Sequence, residues 1–297
     1  MYTIVHEHFE EIFRQKALKY GRSPELSSYE FYLKKTIMIN TKKPSRSGGP
    51  SLNPQFLLLN WPAPKNIHAA STTRLGGYSQ PPFDQFNLAL HVNDHTEAVF
   101  KNRALLKTAL QLPSEPIWLE QQHGQLVVDA HQPDTRYADA AYTDQPNVVC
   151  IIMTADCMPI LMCNEAGSEI AAIHAGWRGL HQEIIRTALQ KFKTPAHHLM
   201  AWLGPTITQK NFEVSESVRD DFIALDSQNI MAFKDTLRPN HYLLDLYDIA
   251  KRQLMQLGVQ KIYADSRCTF EEKDRFYSYR RSPQTGRMAS LIWMETP

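Results

Sequence analysis

A chain of 297 residues can bury a full core, either as one large α/β domain or as two smaller ones. Lys plus Arg number 32 and Asp plus Glu 31, so no global field draws nucleic acid or an acidic membrane surface. No apolar run reaches the roughly 18 residues of a membrane span, and the N-terminal "MYTIVHEHFEEIFRQKALKYG" has no signal-like apolar core, so a cytoplasmic protein is expected.

Taken in order, residues 1–50 hold nine Lys/Arg against five Glu, leaving 23 basic and 26 acidic residues for the remainder. One or two amphipathic helices followed by the polar linker "NTKKPSRSGGPSLNP" are expected there, as a poorly ordered or partly helical extension. The body opens with strand-like "FLLLNW" and "IHAAST", then a loop, "TTRLGGYSQPPF", that sets Arg74 beside two glycines. Thr96 to Leu110 reads as a helix, with Val99, Leu106 and Leu110 on its apolar face. "IWLEQQHGQLVVDA" predicts two strands around a turn bearing His123. "ADAAYTDQP" reads as a loop carrying Asp139 and Asp144, and "NVVCIIMT" as a buried strand.

The centre of the chain is "IIMTADCMPILMCNEAGSEIAAIHAGWRGL", residues 151–180. "PILMC" and "EIAAIH" predict an antiparallel hairpin that brings Cys157 and His174 to one sheet edge. "AGWRG" then opens a helix over "LHQEIIRTALQKF". Farther on, "HLMAWLGPTI" predicts a strand. "SESVRDDFIAL" predicts a helix capped by Ser215, and "LDLYDIAKRQLMQLG" a helix closed by Gly258. "VQKIYAD" is strand-like, and the C-terminal stretch predicts a strand carrying Arg280 and Arg281, a turn and a final strand.

His123, Cys157 and His174 all fall at predicted strand ends. Three N/S ligands with a fourth position open is the arrangement of catalytic zinc. The same residues equally suit a Cys-His nucleophile pair, and each taken singly is also an ordinary core or polar residue. Cys150 and Cys163 lie in apolar strands as inert thiols, and four cysteines in a chain this long do not suggest a disulfide framework. Arg74, Arg178, Arg280, Arg281 and Arg287 could hold a phosphate or sugar hydroxyls if they converge, and are solvated surface residues if they do not. There is no Walker A, no G-x-G-x-x-G and no zinc-deaminase H-x-E with P-C-x-x-C. The one H-x-H, His6 and His8, is no copper centre.

"TTRLGGYS", "FNLALHVND", "QQHG", "TADCMPILM", "AAIHAGWRGL", "AWLGPTI", "FYSYRR" and "GRMASLIW" resemble, in this order, the laccase-domain or polyphenol-oxidase-like family, whose members are described as multifunctional purine nucleoside phosphorylases. The resemblance spans residues 56–294. It implies an α/β fold, a four-layered α/β/β/α sandwich of mixed sheets similar to the catalytic domain of cytotoxic necrotizing factor toxins. It also implies Zn2+ on His123, Cys157 and His174. The implied activity is phosphorolysis of adenosine, inosine and methylthioadenosine to free base and sugar 1-phosphate, with deamination of adenosine. Gln122 departs from the commoner "QVHG" without touching a ligand.

The resulting expectation is an extension over 1–50 and a single laccase-domain-like catalytic domain over 51–297, acting on purine nucleosides and phosphate. Asp156 and Arg178 are the expected catalytic residues, and Arg74, Asn87 and Arg280 the expected substrate-binding ones. Two alternatives stand beside it: a Cys-His hydrolase or amidase acting on cell-wall precursors, as some family members are described as peptidoglycan editing factors, and a non-catalytic zinc-stabilised binding protein.

Overall fold

The computed structural model describes residues 52–296. The extension expected over residues 1–50, with His6 and His8, lies outside the described residues. In chain order the elements are β1 (Phe56–Leu57), β2 (Ile67–Thr72), α1 (Thr96–Leu110), β3 (Val127–Asp129), β4 (Ala140–Thr143) and β5 (Cys150–Thr154). β6 (Met158–Asn164), β7 (Ile170–Ala175), α2 (Trp177–His181), α3 (Ile184–Leu189), β8 (Leu199–Leu203) and β9 (Glu213–Ser215) follow. The chain continues through α4 (Glu216–Leu225), β10 (Phe233–Asp235), β11 (His241–Leu244), α5 (Leu246–Gln256), β12 (Lys261–Ala264) and β13 (Met288–Met294).

Among the described residues the fold is mixed α/β with three sheets. A four-stranded sheet runs β1-β2-β13-β5 and is antiparallel throughout. A six-stranded mixed sheet runs β12-β8-β6-β7-β4-β3, parallel only at its two outer pairs, and a small antiparallel sheet runs β10-β11-β9. The strands of the two larger sheets that meet at the centre, β5, β6 and β7, are buried along their whole length, as continuous apolar runs should be when both faces are covered.

One apolar core lies between the two larger sheets, where Ile152 and Ile292 meet Leu161, Ala172 and Trp202. A second covers the other face of the six-stranded sheet, where Ile160 and Ile173 meet Leu180, Ile185, Phe222, Ile249 and Leu254 from the helices. Burying a side chain such as Ile249 or Leu254 contributes roughly 1.5–3 kcal/mol. A third backs the four-stranded sheet, joining Ile151 and Leu291 to Phe86, Leu88 and Leu106.

The hairpin of β6 and β7 forms as expected, in a register that pairs Pro159 with His174 and Met158 with Ala175. α1 has its predicted bounds. α5 ends in a Schellman motif: Gly258, at φ +93°, donates to Met255 O while Val259 donates to Leu254 O. Its start is capped by Asp245, whose carboxylate accepts from Asp248 N.

Several expectations are corrected. The "AAYT" of the expected loop is a fully buried strand, β4, paired with both β3 and β7, because its alternation was hidden by burial on both faces. The helix expected over residues 180–192 is two short ones broken at Glu183, which has φ +60°. The break is held from outside, since Gln253 of α5 donates its side-chain amide to Leu180 O. Ser215 stands at the N-cap of α4 but makes no capping bond, its hydroxyl meeting that of Ser217. Residues 117–121 form only an isolated bridge, Ile117 to Cys150. Arg280 and Arg281 lie in a turn rather than a strand. The Arg280 amide is taken by the Asp156 carboxylate, and the Arg281 guanidinium binds the carbonyls of Thr269, Phe270 and Phe276, so this stretch bonds to side chains instead of a ladder.

Candidate functional site

Cys157 sits between β5 of one sheet and β6 of the other. The chain crosses there through Asp156, a non-glycine residue at φ +90°. Such a backbone persists only when its surroundings over-determine it, and here they do. The Asp156 carbonyl accepts from Thr206 Oγ1 and Ile207 N. Its buried carboxylate accepts from Thr269 Oγ1 at 2.7 Å, Ser278 Oγ at 2.9 Å and Arg280 N at 2.7 Å.

The hairpin register pairs His174 with Pro159, two residues on from Cys157 and so on the same face, and the third residue comes from the loop before β3. His123 has φ +60°, which turns its ring back over the hairpin edge. The rings of His123 and His174 meet edge to face at 4.9 Å between centroids. Ligand-type atoms of His123, Cys157 and His174 all lie within 4.8 Å of one another. Gly176 allows this closeness, because a Cβ there would stand 2.9 Å from Cys157 Sγ and 3.3 Å from His123 Cδ2.

Asp139, 1 % exposed, joins the pieces. Its carboxylate lies 2.8 Å from His174 Nδ1 and accepts the backbone N–H groups of Gln122, His123 and Gly124 at 3.1, 2.9 and 2.8 Å. One carboxylate thus fixes the ring of His174, leaving Nε2 to face the cavity, and also the loop that carries His123. A carboxylate behind a ligating imidazole is the usual support of a metal site. Although burial opposes it, these bonds hold the Asp139 carboxyl below the usual range. Burial likewise disfavours charge on Cys157 and His174, but their mutual attraction outweighs it. The thiol is pushed down and the imidazole up, so the sulfur is poised as a thiolate. The two nitrogens and the thiolate fit a metal ion with a further position open to the cavity.

The group opens into a cavity of about 470 Å³, whose wall includes Trp177, Phe212 and Tyr279 with Arg178, Arg280 and Arg287. Of the five arginines singled out in the sequence, these three converge. Arg178 lies over Trp177 and Arg280 over Phe212, at 4.3 and 5.2 Å from the ring centres. Asp156 also lines the cavity. Arg74 and Asn87 stand behind its wall: Arg74 pairs with Asp84 at 3.0 Å and donates to Lys273 O, while the fully buried Asn87 accepts the backbone N–H of Arg287 at 2.9 Å. Sequence reasoning missed Asp139, whose signal was a charged residue directly before the apolar "AAYT". It also missed His91, which lines the cavity from the "FNLALHVND" segment.

A match to the family described as multi-copper polyphenol oxidoreductase laccase covers residues 68–295. The chain belongs to this family. It is 43 % identical over 242 residues to the purine nucleoside phosphorylase YfiH of Escherichia coli strain K12, covering 81 % of this chain and 99 % of that protein. A purine nucleoside phosphorylase of Haemophilus influenzae is 45 % identical over 238 residues, 80 % of this chain and 98 % of the relative. Among solved structures, Neisseria meningitidis protein NMB0706 aligns with a TM-score of 0.78 at 42 % identity, covering 81 % of this chain and 99 % of that one. YlmD from Geobacillus stearothermophilus aligns at 0.75 with 27 % identity, over 85 % and 98 % of the two chains. Among the described residues, the one grouping of three metal-type side chains is His123, Cys157 and His174.

Proposed function

We propose that this chain is a zinc-dependent purine nucleoside phosphorylase that converts adenosine, inosine and methylthioadenosine to free base and sugar 1-phosphate, with adenosine deamination as a second activity. The observation that carries this reading is the convergence of the His123–Cys157–His174 group, three arginines and three aromatic rings on one cavity, in a chain 43–45 % identical to proteins named purine nucleoside phosphorylases. Two nitrogens and one thiolate are donors that zinc and copper sites share; zinc is proposed for the further position left open to the cavity, and when bound it would supply a Lewis acid.

The chain's own residues do the rest. Trp177 and Tyr279 offer ring faces to a flat purine, and the arginines offer N–H forks to phosphate and sugar oxygens. Arg178 and Arg280 are the proposed substrate contacts. Asp156 acts through the loop it holds, since its carboxylate already accepts three bonds. Arg74 and Asn87 act from behind the wall by fixing the segments that carry Tyr277 and Arg287. A cytoplasmic location and a single catalytic domain over 51–297 belong to the same reading. Among the described residues no helix is long and apolar enough to cross a membrane. The four-layered arrangement and its likeness to the toxin domain also belong to it, supported by the core shared between the two larger sheets.

A second reading has one specific observation behind it. Cys157, His174 and Asp139 are connected as a nucleophile, a base and an orienting carboxylate would be, which suits a Cys-His hydrolase. Metal analysis and turnover assays separate the two. Wild type should carry about one zinc per chain and release base from adenosine and inosine only with phosphate, and Cys157→Ala should lose both. Stoichiometric zinc without base release refutes the activity and spares the metal site. A metal-free enzyme with an alkylatable Cys157 favours the hydrolase.

A further inference from the structure

We infer that the guanidinium of Arg287, with the imidazole of His91 beside it, forms the phosphate subsite of this cavity, a built oxyanion site on the metal-ligand side. The inference rests on the phosphorolysis reading and deepens it, choosing one arginine among the three that line the cavity.

Three observations single out Arg287. The first is its position at the entry of β13, where the next residue, Met288, pairs with Thr154 of β5. That places Arg287 beside the strand end that leads through Asp156 to Cys157, and all three line the cavity.

The second is its preorganisation. The backbone N–H of Arg287 donates to Asn87 Oδ1 at 2.9 Å, and Leu88 N donates to Arg287 O at 3.4 Å. Asn87 is buried and further tied to Ala89 and Asp94. Gly286 lets the two segments close, since a Cβ there would come within 2.7 Å of Tyr277 Cζ and 2.9 Å of Asn87 Cβ. The segment 87–91, which ends in His91, is therefore stitched to Arg287. A site whose groups are fixed before the ligand arrives loses less entropy on binding.

The third is the unspent donor edge. Arg287 Nη1 donates to Thr285 O and Gly286 O, which holds the guanidinium plane, while Nε and Nη2 have no acceptor among the described residues. That edge is a two-donor fork of the kind that binds two oxygens of a phosphate. Among the described residues no carboxylate forms an ion pair with Arg178, Arg280 or Arg287. Asp156, the carboxylate nearest in the wall, is occupied by Thr269, Ser278 and the Arg280 amide. Arg178 and Arg280 are exposed to water, whereas Arg287 is half-buried, and a half-buried guanidinium that no carboxylate pairs directly leaves a local need for an anion.

His91 completes the site as an imidazole donor that lines the same cavity. Its ring N–H is available to an oxyanion. Arg178 and Arg280 lie closer to their rings, at 4.3 and 5.2 Å, than Arg287 does to Tyr279, at 5.8 Å, and are left for the nucleoside.

The test uses the full-length, metal-loaded protein with inorganic phosphate as the probe. Equilibrium dialysis with labelled phosphate, in the absence of nucleoside, should show binding to wild type that weakens about tenfold or more in Arg287→Met, the loss expected when charge-assisted bonds to an anion are removed. In turnover the KM for phosphate should rise similarly while the KM for inosine stays within about twofold. Arg287→Lys keeps the charge without the fork and should fall between, and His91→Gln should show a smaller rise in phosphate KM. These two carry the test if Arg287→Met does not fold. Wild-type phosphate binding and phosphate KM in the folded variants overturn the inference. Arg287-dependent phosphate binding without any base release keeps the subsite and removes the phosphorylase reading. Arg287-dependent binding of a nucleoside monophosphate, with no binding of free phosphate, keeps the subsite and assigns it to an attached phosphate group.

Discussion

Asp139 does more at this site than any residue the sequence singled out, because a single carboxylate orients His174 and ties down the loop bearing His123. Asp139→Asn presents an amide where three backbone N–H groups and an imidazole all seek an acceptor. Support of this kind is worth about 10–100-fold in metal affinity. A chelator competition should read a loss of that order, with the fold retained by circular dichroism; unchanged affinity would leave Asp139 a packing residue. Gly176 gives a steric test of the same cluster. Gly176→Ala puts a methyl group 2.9 Å from Cys157 Sγ, so either the thiolate or α2 must move. Metal stoichiometry should fall while thermal stability changes little. Both effects were only faintly legible beforehand: "ADA" and "HAGWRG" showed an acid and a glycine near the ligands, but not that they touch them.

Among the elements, β6 and β7 were readable because two apolar runs around "NEAGS" admit one pairing that buries both, and that pairing delivers Cys157 and His174 together. Helix ends were half readable. Asp245 and Ser215 occupy equivalent N-cap positions, yet only Asp245 bonds a helical N–H, that of Asp248. Asp245→Ala should therefore cost about 1 kcal/mol of stability, and Ser215→Ala less than about 0.5 kcal/mol, by denaturant unfolding. Equal losses would show that Ser215 caps in solution. Local chemistry could not distinguish the two, since Ser215 also ends β9, paired with His241 of β11, and its hydroxyl meets that of Ser217 instead of a helical N–H. The break at Glu183 has the same origin in a distant partner, Gln253.

For the whole molecule, acid stability has an identifiable contributor away from the site. Glu169, 4 % exposed, accepts from Tyr142 OH, from the backbone of Lys193 and Thr194, and from the Thr194 hydroxyl. Burial opposes its charge, but these donors win and hold its carboxyl below the ordinary range. A depressed carboxyl stabilises the fold at pH values above its unfolded pKa of about 4.3, and this contribution is lost as pH falls through the lower folded value. The stability gap between wild type and Glu169→Gln should therefore be full near neutrality and shrink below about pH 4. Melting temperatures across that range check it, and a gap independent of pH would assign the effect to packing alone.

What the sequence determined by itself was chemistry and local pairing. It supplied a thiol and one imidazole at strand ends, a second imidazole in a turn, the hairpin, α1 and α5, because hydrophobic periodicity and turn residues act over a few neighbours. The convergence of His123 with the hairpin, of Arg178, Arg280 and Arg287 on one cavity, and of Asp139 and Asp156 on their donors was decided only by the tertiary structure. These contacts join residues far apart in the chain, and a lone polar residue reads the same whether it faces solvent or a buried partner. Only the packing of two sheets against each other, with Cys157 at the crossing between them, turns scattered polar residues into one site.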